Sequence, residues 1–147
     1  MQQSLFIVLA VLMGIALSIY LPMNSSLSKH IGSTVTAVLI FFVVALSTLI
    51  LIFLIFGELG SIRHIKNVPL YLYSTGFFAA LVVLGITYLI PHLGARRLFI
   101  LVVSSQVLMA VIVSHFGILE SPKDPVTIKK IVGALVVVLG AYISTSG

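Results

Sequence analysis

The sequence predicts an all-α polytopic membrane protein with five transmembrane helices, and three observations carry that prediction. Hydrophobic residues make up 61% of the 147 positions and charged residues 7%, against roughly 45–50% and about 25% in soluble globular domains. Three acidic and eight basic side chains cannot cover a water-facing surface of this size. Uncharged apolar runs of spanning length recur five times, each bounded by polar, charged, prolyl or glycyl residues. A spanning helix takes about 20 residues, so five fill the chain and six leave almost nothing for turns. The expectation is a single transmembrane domain over 1–147 with no aqueous domain of any size.

The first span is expected over 4–28, with no charge before Lys29. Met1-Gln2-Gln3 lacks the basic start of a secretory signal, and the apolar stretch outruns a signal's hydrophobic region, so a retained helix is expected. Pro22 removes a backbone donor and is expected to kink or break this helix, freeing a carbonyl four residues earlier. The second span covers 33–56, and its 24 positions reach roughly 36 Å. The third covers 68–90, with Pro69 in its first turn and Pro91 closing it. The fourth covers 98–116, directly after Arg96 and Arg97. The fifth covers 127–143, with Asp124 and Thr127 as candidate N-caps and Lys129 and Lys130 at the membrane surface. The links between spans are short, so sequence neighbours run antiparallel and no extramembrane catalytic site fits between them.

Five spans put the termini on opposite sides, and the positive-inside rule then compares Lys and Arg per side. Arg63, Lys66, Lys123, Lys129 and Lys130 fall on the N-terminal side; Lys29, Arg96 and Arg97 fall on the other. Five against three favours a cytoplasmic N-terminus weakly. A single orientation and a dual topology, in which the chain pairs with an inverted copy of itself, are both compatible with that count. Contacts in lipid rely on small residues that let backbones approach. Gly133 with Gly140, and Ala134 with Ala141, recur at a seven-residue spacing that returns to nearly the same face of the last helix. This stripe is read as a dimer-packing surface. Gly76 and Ala80 in the third span are read as packing within one chain.

Polar groups inside spans are costly and mark function. No Asp or Glu lies deep in any span; Glu58, Glu120 and Asp124 all sit at or beyond helix ends. Gln106 lies near the centre of the fourth span beside Ser104 and Ser105, where its amide serves either an interhelical hydrogen bond or a neutral substrate. Ser18, Tyr20, Asn24, Ser25 and Ser26 surround Pro22, the pattern of a discontinuous helix beside a ligand site, or of a solvated helix end. Tyr20 and Tyr88 are candidates to line a cavity or to anchor at the interface. His115 and Glu58 are the candidate proton- or pH-sensitive groups. His30, His64 and His92 fall in links without ligand spacing, so neither a metal nor a cofactor is expected. The absence of cysteine removes disulfides and thiolate sites, and no Gly-rich phosphate loop or Ser–His–Asp arrangement is present. Catalysis is not expected. The basic residues are scattered, which suits anionic lipid and not nucleic acid.

Several stretches together resemble a known family. They are Leu21-Pro-Met-Asn-Ser-Ser-Leu27 at the exit of the first helix, Pro91-His-Leu-Gly-Ala95 before the fourth, and Gln106 within it. His115-Phe-Gly-Ile-Leu119 after that helix and the Gly133-to-Gly140 last helix complete the set. The pattern is similar to the YdcZ-like family, formerly a domain of unknown function, of the drug/metabolite transporter superfamily, and the likeness covers essentially the whole chain. The resemblance implies a five-helix half-transporter of the bacterial inner membrane that dimerises inverted, or an analogue of one half of a ten-helix transporter. The family's helix-four Gln and its Asn at the end of helix one map onto Gln106 and Asn24. Two departures stand out: Ser114 replaces the acidic residue often found before His-Phe-Gly, and Tyr71 and Tyr73 stand near where the family has a Trp.

The function expected is that of a small-molecule exporter working by alternating access as a dual-topology dimer. Its site would be neutral and aromatic, with Gln106, Asn24, Tyr20, Tyr88, Ser104 and Ser105 as substrate-binding residues and Phe99 in the wall. The alternatives are a passive dual-topology ion channel, which the count of five spans disfavours, and a non-transporting accessory subunit, which requires a larger partner. The expected partners are the lipid bilayer, a small molecule and an inverted copy.

Overall fold

The computed structural model of the chain describes residues 2–57 and 59–146. Among them every regular element is helical: α1 (Gln2–Ile31), α2 (Thr34–Phe56), α3 (Thr75–Leu93), α4 (Ala95–Phe116) and α5 (Ile128–Thr145). Short 3-10 helices cover Leu59–Asn67, Leu70–Ser74 and Ile118–Glu120. Five helices are long and apolar enough to cross a membrane, the third counted from Leu70. The chain divides into two compact units, Met1–His92 and Leu93–Gly147.

α1 has 30 residues, about 45 Å at 1.5 Å per residue, so it outruns a hydrocarbon layer of about 30 Å. Of the kink or break expected from sequence at Pro22, the break does not occur, and α1 runs continuously through the proline. The reason lies in packing. Leu21, Asn24, Ser25 and Ser28 are the buried residues of α1, spaced i, i+3, i+4 and i+7, so the turns flanking the proline are the ones neighbouring helices hold in place. α2 begins where the sequence indicates, because Ser33 stands extended at the N-cap and its hydroxyl accepts the Thr36 N–H.

Three boundaries differ from the sequence expectation. The link after α2 is not open loop but forms a 3-10 helix over Leu59–Asn67. The third span opens as a 3-10 helix, Leu70–Ser74, and becomes α-helical only at Thr75. There the Ser74 and Thr75 hydroxyls donate to carbonyls three residues back, and the Tyr73 hydroxyl donates to the Ile65 carbonyl at 2.8 Å. These bonds favour the tighter turn. Pro91 lies inside α3 and does not close it. The helix stops instead at Gly94, whose φ of +78° suits a residue without Cβ.

The second unit is a helical hairpin of α4 and α5. Gly117 ends α4 in the left-handed conformation at φ +63°. The following segment folds back so that the Asp124 N–H donates to the Ser114 carbonyl at 2.9 Å. Thr127, of the two candidate caps, is the N-cap of α5, its hydroxyl accepting from the Lys130 N–H. Asp124 instead pairs with the Lys130 ammonium, which also donates to the Pro125 carbonyl. The buried residues of α5 are Ala134 and Ala141, small enough for close approach between helices in lipid, where large apolar side chains gain little by meeting.

Candidate functional site

The polar stripe of α1 builds a site in the first unit. Asn24 is 5% exposed and Thr87 of α3 fully buried; the Asn24 Nδ2 donates to the Thr87 Oγ1 at 2.9 Å. A turn further along α1, the Ser28 hydroxyl donates to the Thr34 hydroxyl at 2.9 Å. Ala37 and Val38 of α2 and Ile86 of α3 complete the core of this unit. Among the described residues of this unit, four of the eight that are buried, Asn24, Ser25, Ser28 and Thr87, are polar, so hydrogen bonds and small volumes contribute to joining these helices. Ser25 is 2% exposed, and its Oγ has no hydrogen-bond partner among the described residues. Thr87 stands four residues before Pro91, which has no N–H to give, so its carbonyl loses the usual helical donor.

Beside this layer, α1 and α2 flank an open groove of about 610 Å³, within the usual 300–1,000 Å³ range for small-molecule sites. Tyr20, Asn24, Ser26 and His30 line it from α1, and Phe41 and Val44 from α2. The rings of Tyr20 and Phe41 stack with centroids 5.5 Å apart and planes 8° from parallel. Among the described residues, no Asp, Glu, Lys or Arg belongs to the lining. Asn24 takes part in both structures: one amide atom is tied to Thr87, and no donor among the described residues reaches its Oδ1.

The remaining candidates from sequence are placed as follows. Tyr88 is exposed, lies outside the groove lining, and its ring packs on His92 with centroids 4.7 Å apart. The His92 Nδ1–H donates to the Tyr88 carbonyl at 2.8 Å. In the second unit, Ser104 lines a hollow of about 380 Å³ with Phe99, Gly140 and Ala141. The Ser104 and Ser105 hydroxyls donate back to carbonyls of α4 itself, which satisfies them without a ligand. Gln106 is exposed on α4, off the stripe of Ser104, Val107, Val111 and Ser114 that lines the hollows against α5. Among the described residues its amide has no hydrogen-bond partner. Ala134 and Ala141 are buried, whereas Gly133 and Gly140 are exposed and a Cβ added at either meets nothing within 4 Å. His115 accepts the Val126 N–H on Nδ1 at 3.1 Å, tying the end of α4 to the segment before α5. Glu58 lies outside the described residues.

Sequence reasoning passed over Thr87 and Phe41. Thr87 had a signal, as the only Ser or Thr between Phe77 and Ile90, four positions before a proline. Phe41 had none, because an aromatic residue in an apolar run is ordinary.

No curated protein and no solved structure matches the chain. A family model does, over residues 5–143, and its description is that of a membrane exporter and not of an enzyme. The five spanning helices and the match over nearly the whole length agree, and the chain belongs to the family described as "Putative inner membrane exporter, YdcZ".

Proposed function

We propose that the chain is one protomer of a small-molecule exporter that works by alternating access as an inverted homodimer. The observation that carries the reading is a buried, hydrogen-bonded amide, Asn24, lining a groove of drug-sized volume between helices long enough to span a membrane. Buried polar groups at such a position are costly and serve substrates or helix contacts; Asn24 is placed to serve both. Gln106 supports the dimer. An amide exposed to hydrocarbon without a partner is unfavourable, and an inverted copy supplies a second Gln106 to pair with it or to share a neutral cavity. The five-to-three distribution of basic residues permits the two orientations this arrangement needs. In it, binding favours one outward or inward arrangement over the other, and exchange of conformations between protomers opens the site to each side in turn.

The chain has no native cysteine, so single-cysteine variants test orientation directly. Ser4→Cys and Ser144→Cys, labelled in inside-out and right-side-out vesicles with a membrane-impermeant maleimide, are each expected to react from both sides. Antiparallel cross-links are expected to form, and flux of dyes from loaded proteoliposomes is expected to saturate. One-sided labelling with no antiparallel cross-link, or flux that rises linearly with dye concentration, would overturn the proposal.

A further inference from the structure

The α1–α2 groove also restricts the chemistry of its occupant. Among the described residues its lining carries no Asp, Glu, Lys or Arg, so an ion entering it finds no fixed counter-charge there to offset the loss of water. One end of the wall is aromatic, the Tyr20 and Phe41 rings being stacked on each other with planes 8° apart. Planar ligands gain offset stacking or edge contacts against such a surface. Aliphatic side chains, among them Leu27 and Val44, make up most of the rest. The polar groups are few and set along α1: Tyr20, Asn24, Ser26 and His30. The decisive one is Asn24. Its Nδ2 gives one of its two N–H groups to Thr87 at 2.9 Å, while Oδ1, an acceptor, has no donor among the described residues. A lipid acyl chain in the groove would leave that acceptor and the neighbouring hydroxyls unmatched.

We infer that the groove binds uncharged, flat aromatic molecules that carry a hydrogen-bond donor, stacked beside Tyr20 and Phe41 with the donor on the Oδ1 of Asn24. This rests on reading the chain as a transporter, and it names the substrate class of that same site.

The test uses the full chain in lipid nanodiscs. Because the protein has no tryptophan, Phe41→Trp places a single indole in the groove wall, and Val44→Trp repeats the measurement from a second position. The probe is N-phenyl-1-naphthylamine, which is neutral, aromatic, bears one N–H and accepts energy from indole. Saturable energy transfer is expected, and its N-methyl analogue, which lacks the donor, is expected to bind about three- to tenfold more weakly, the worth of one hydrogen bond. Asn24→Leu should bring the two probes to equal affinity. Ethidium, a flat cation, should give no saturable signal. Three results would each overturn the inference: non-saturating partition equal to that in empty nanodiscs, equal affinity for the two neutral probes in the Val44→Trp protein, or tighter binding of ethidium. The comparison of probes in the Val44→Trp protein does not depend on a variant at Asn24 folding. Saturable binding without proteoliposome flux would sink the transport reading and leave the site; flux without saturable binding would do the reverse.

Discussion

The amide of Asn24 donates to the hydroxyl of Thr87 at 2.9 Å, joining α1 to α3 across 63 positions of chain with both side chains buried. In water such a bond exchanges for bonds to solvent and contributes little. In a membrane the separated helices retain no such exchange, yet measured interhelical bonds average only about 0.6 kcal/mol with a maximum near 1.7, because side chains find other partners. Thr87→Val also strands a buried donor, which costs about 1–3 kcal/mol. The lower of these ranges governs here, so Thr87→Val is expected to destabilise by about 1 kcal/mol in detergent-titration unfolding from bicelles. In a double-mutant cycle with Asn24→Leu, the two changes should couple by at least about 0.5 kcal/mol. Simple additivity would mean that the contact carries no energy of its own.

Ser25 and Ser28 lie one turn apart on the same face and differ in one respect. Ser28 donates to Thr34, whereas the Ser25 Oγ has no partner among the described residues. Removing an unsatisfied buried hydroxyl relieves a desolvation cost, while removing a satisfied one leaves its partner stranded. Ser25→Ala is therefore expected to be neutral or stabilising by up to about 1 kcal/mol, and Ser28→Ala to destabilise by about 0.5–1.5 kcal/mol, in the same unfolding assay. A loss on Ser25→Ala comparable to that of Ser28→Ala would reveal a bound water or another partner at Ser25.

The paired small residues of α5 divide into two sets. Ala134 and Ala141 are buried, while a Cβ at Gly133 or Gly140 meets nothing within 4 Å. Ala141→Leu overpacks a helix contact and should destabilise the hairpin by about 1–3 kcal/mol. Gly133→Leu and Gly133→Phe should leave the folded protomer intact and lower the dimer fraction, read by energy transfer between labelled copies in bilayers. If the glycine variants leave dimerisation unchanged, this stripe is not the dimer contact.

How far the fold was readable from sequence follows from the kind of signal each part carries. The helices are legible because lipid imposes one rule, an uncharged run of about 20 residues, and the chain obeys it five times. Their ends are less so. Pro22 and Pro91 read as interruptions, yet both lie inside helices, because a helix loses one hydrogen bond at a proline and tertiary packing can hold the rest. Asn24 and Tyr20 were legible as polar residues around a helical proline. Their partners were not. That Asn24 meets Thr87 and Tyr20 meets Phe41 depends on which faces of α1, α2 and α3 adjoin, and the nearly uniform apolarity of these helices leaves no amphipathic pattern to reveal a face. The role of Ala134 and Ala141 was obscured likewise, since close packing within one chain and between two chains asks for the same small residues.

Gln106 is exposed near the middle of α4 without a described partner, so it adds nothing evident to the fold of one protomer. Gln106→Leu is expected to leave unfolding unchanged or to stabilise slightly, since it removes an unmatched amide from hydrocarbon. Proteoliposome flux should fall by at least tenfold if the amide serves the shared site. Equal losses of stability and flux would make it a structural residue instead.

Orientation offers the sharpest separation between a dual-topology dimer and a fixed protomer, because charge can be moved without touching the helices. Arg63→Gln with Lys66→Gln changes the count of basic residues from five against three to three against three. Both positions lie in the link after α2. Insertion follows the bias in Lys and Arg, so labelling at Ser4→Cys should move toward equal reaction from the two sides. Lys29→Gln with Arg96→Gln gives five against one and should fix a single orientation. Under the inverted-dimer reading this second variant inserts and folds but loses antiparallel cross-links and flux together, and both return when it is co-expressed with a copy charged the opposite way. Full flux from the fixed-orientation variant alone would show that one orientation suffices and that the two copies need not be inverted.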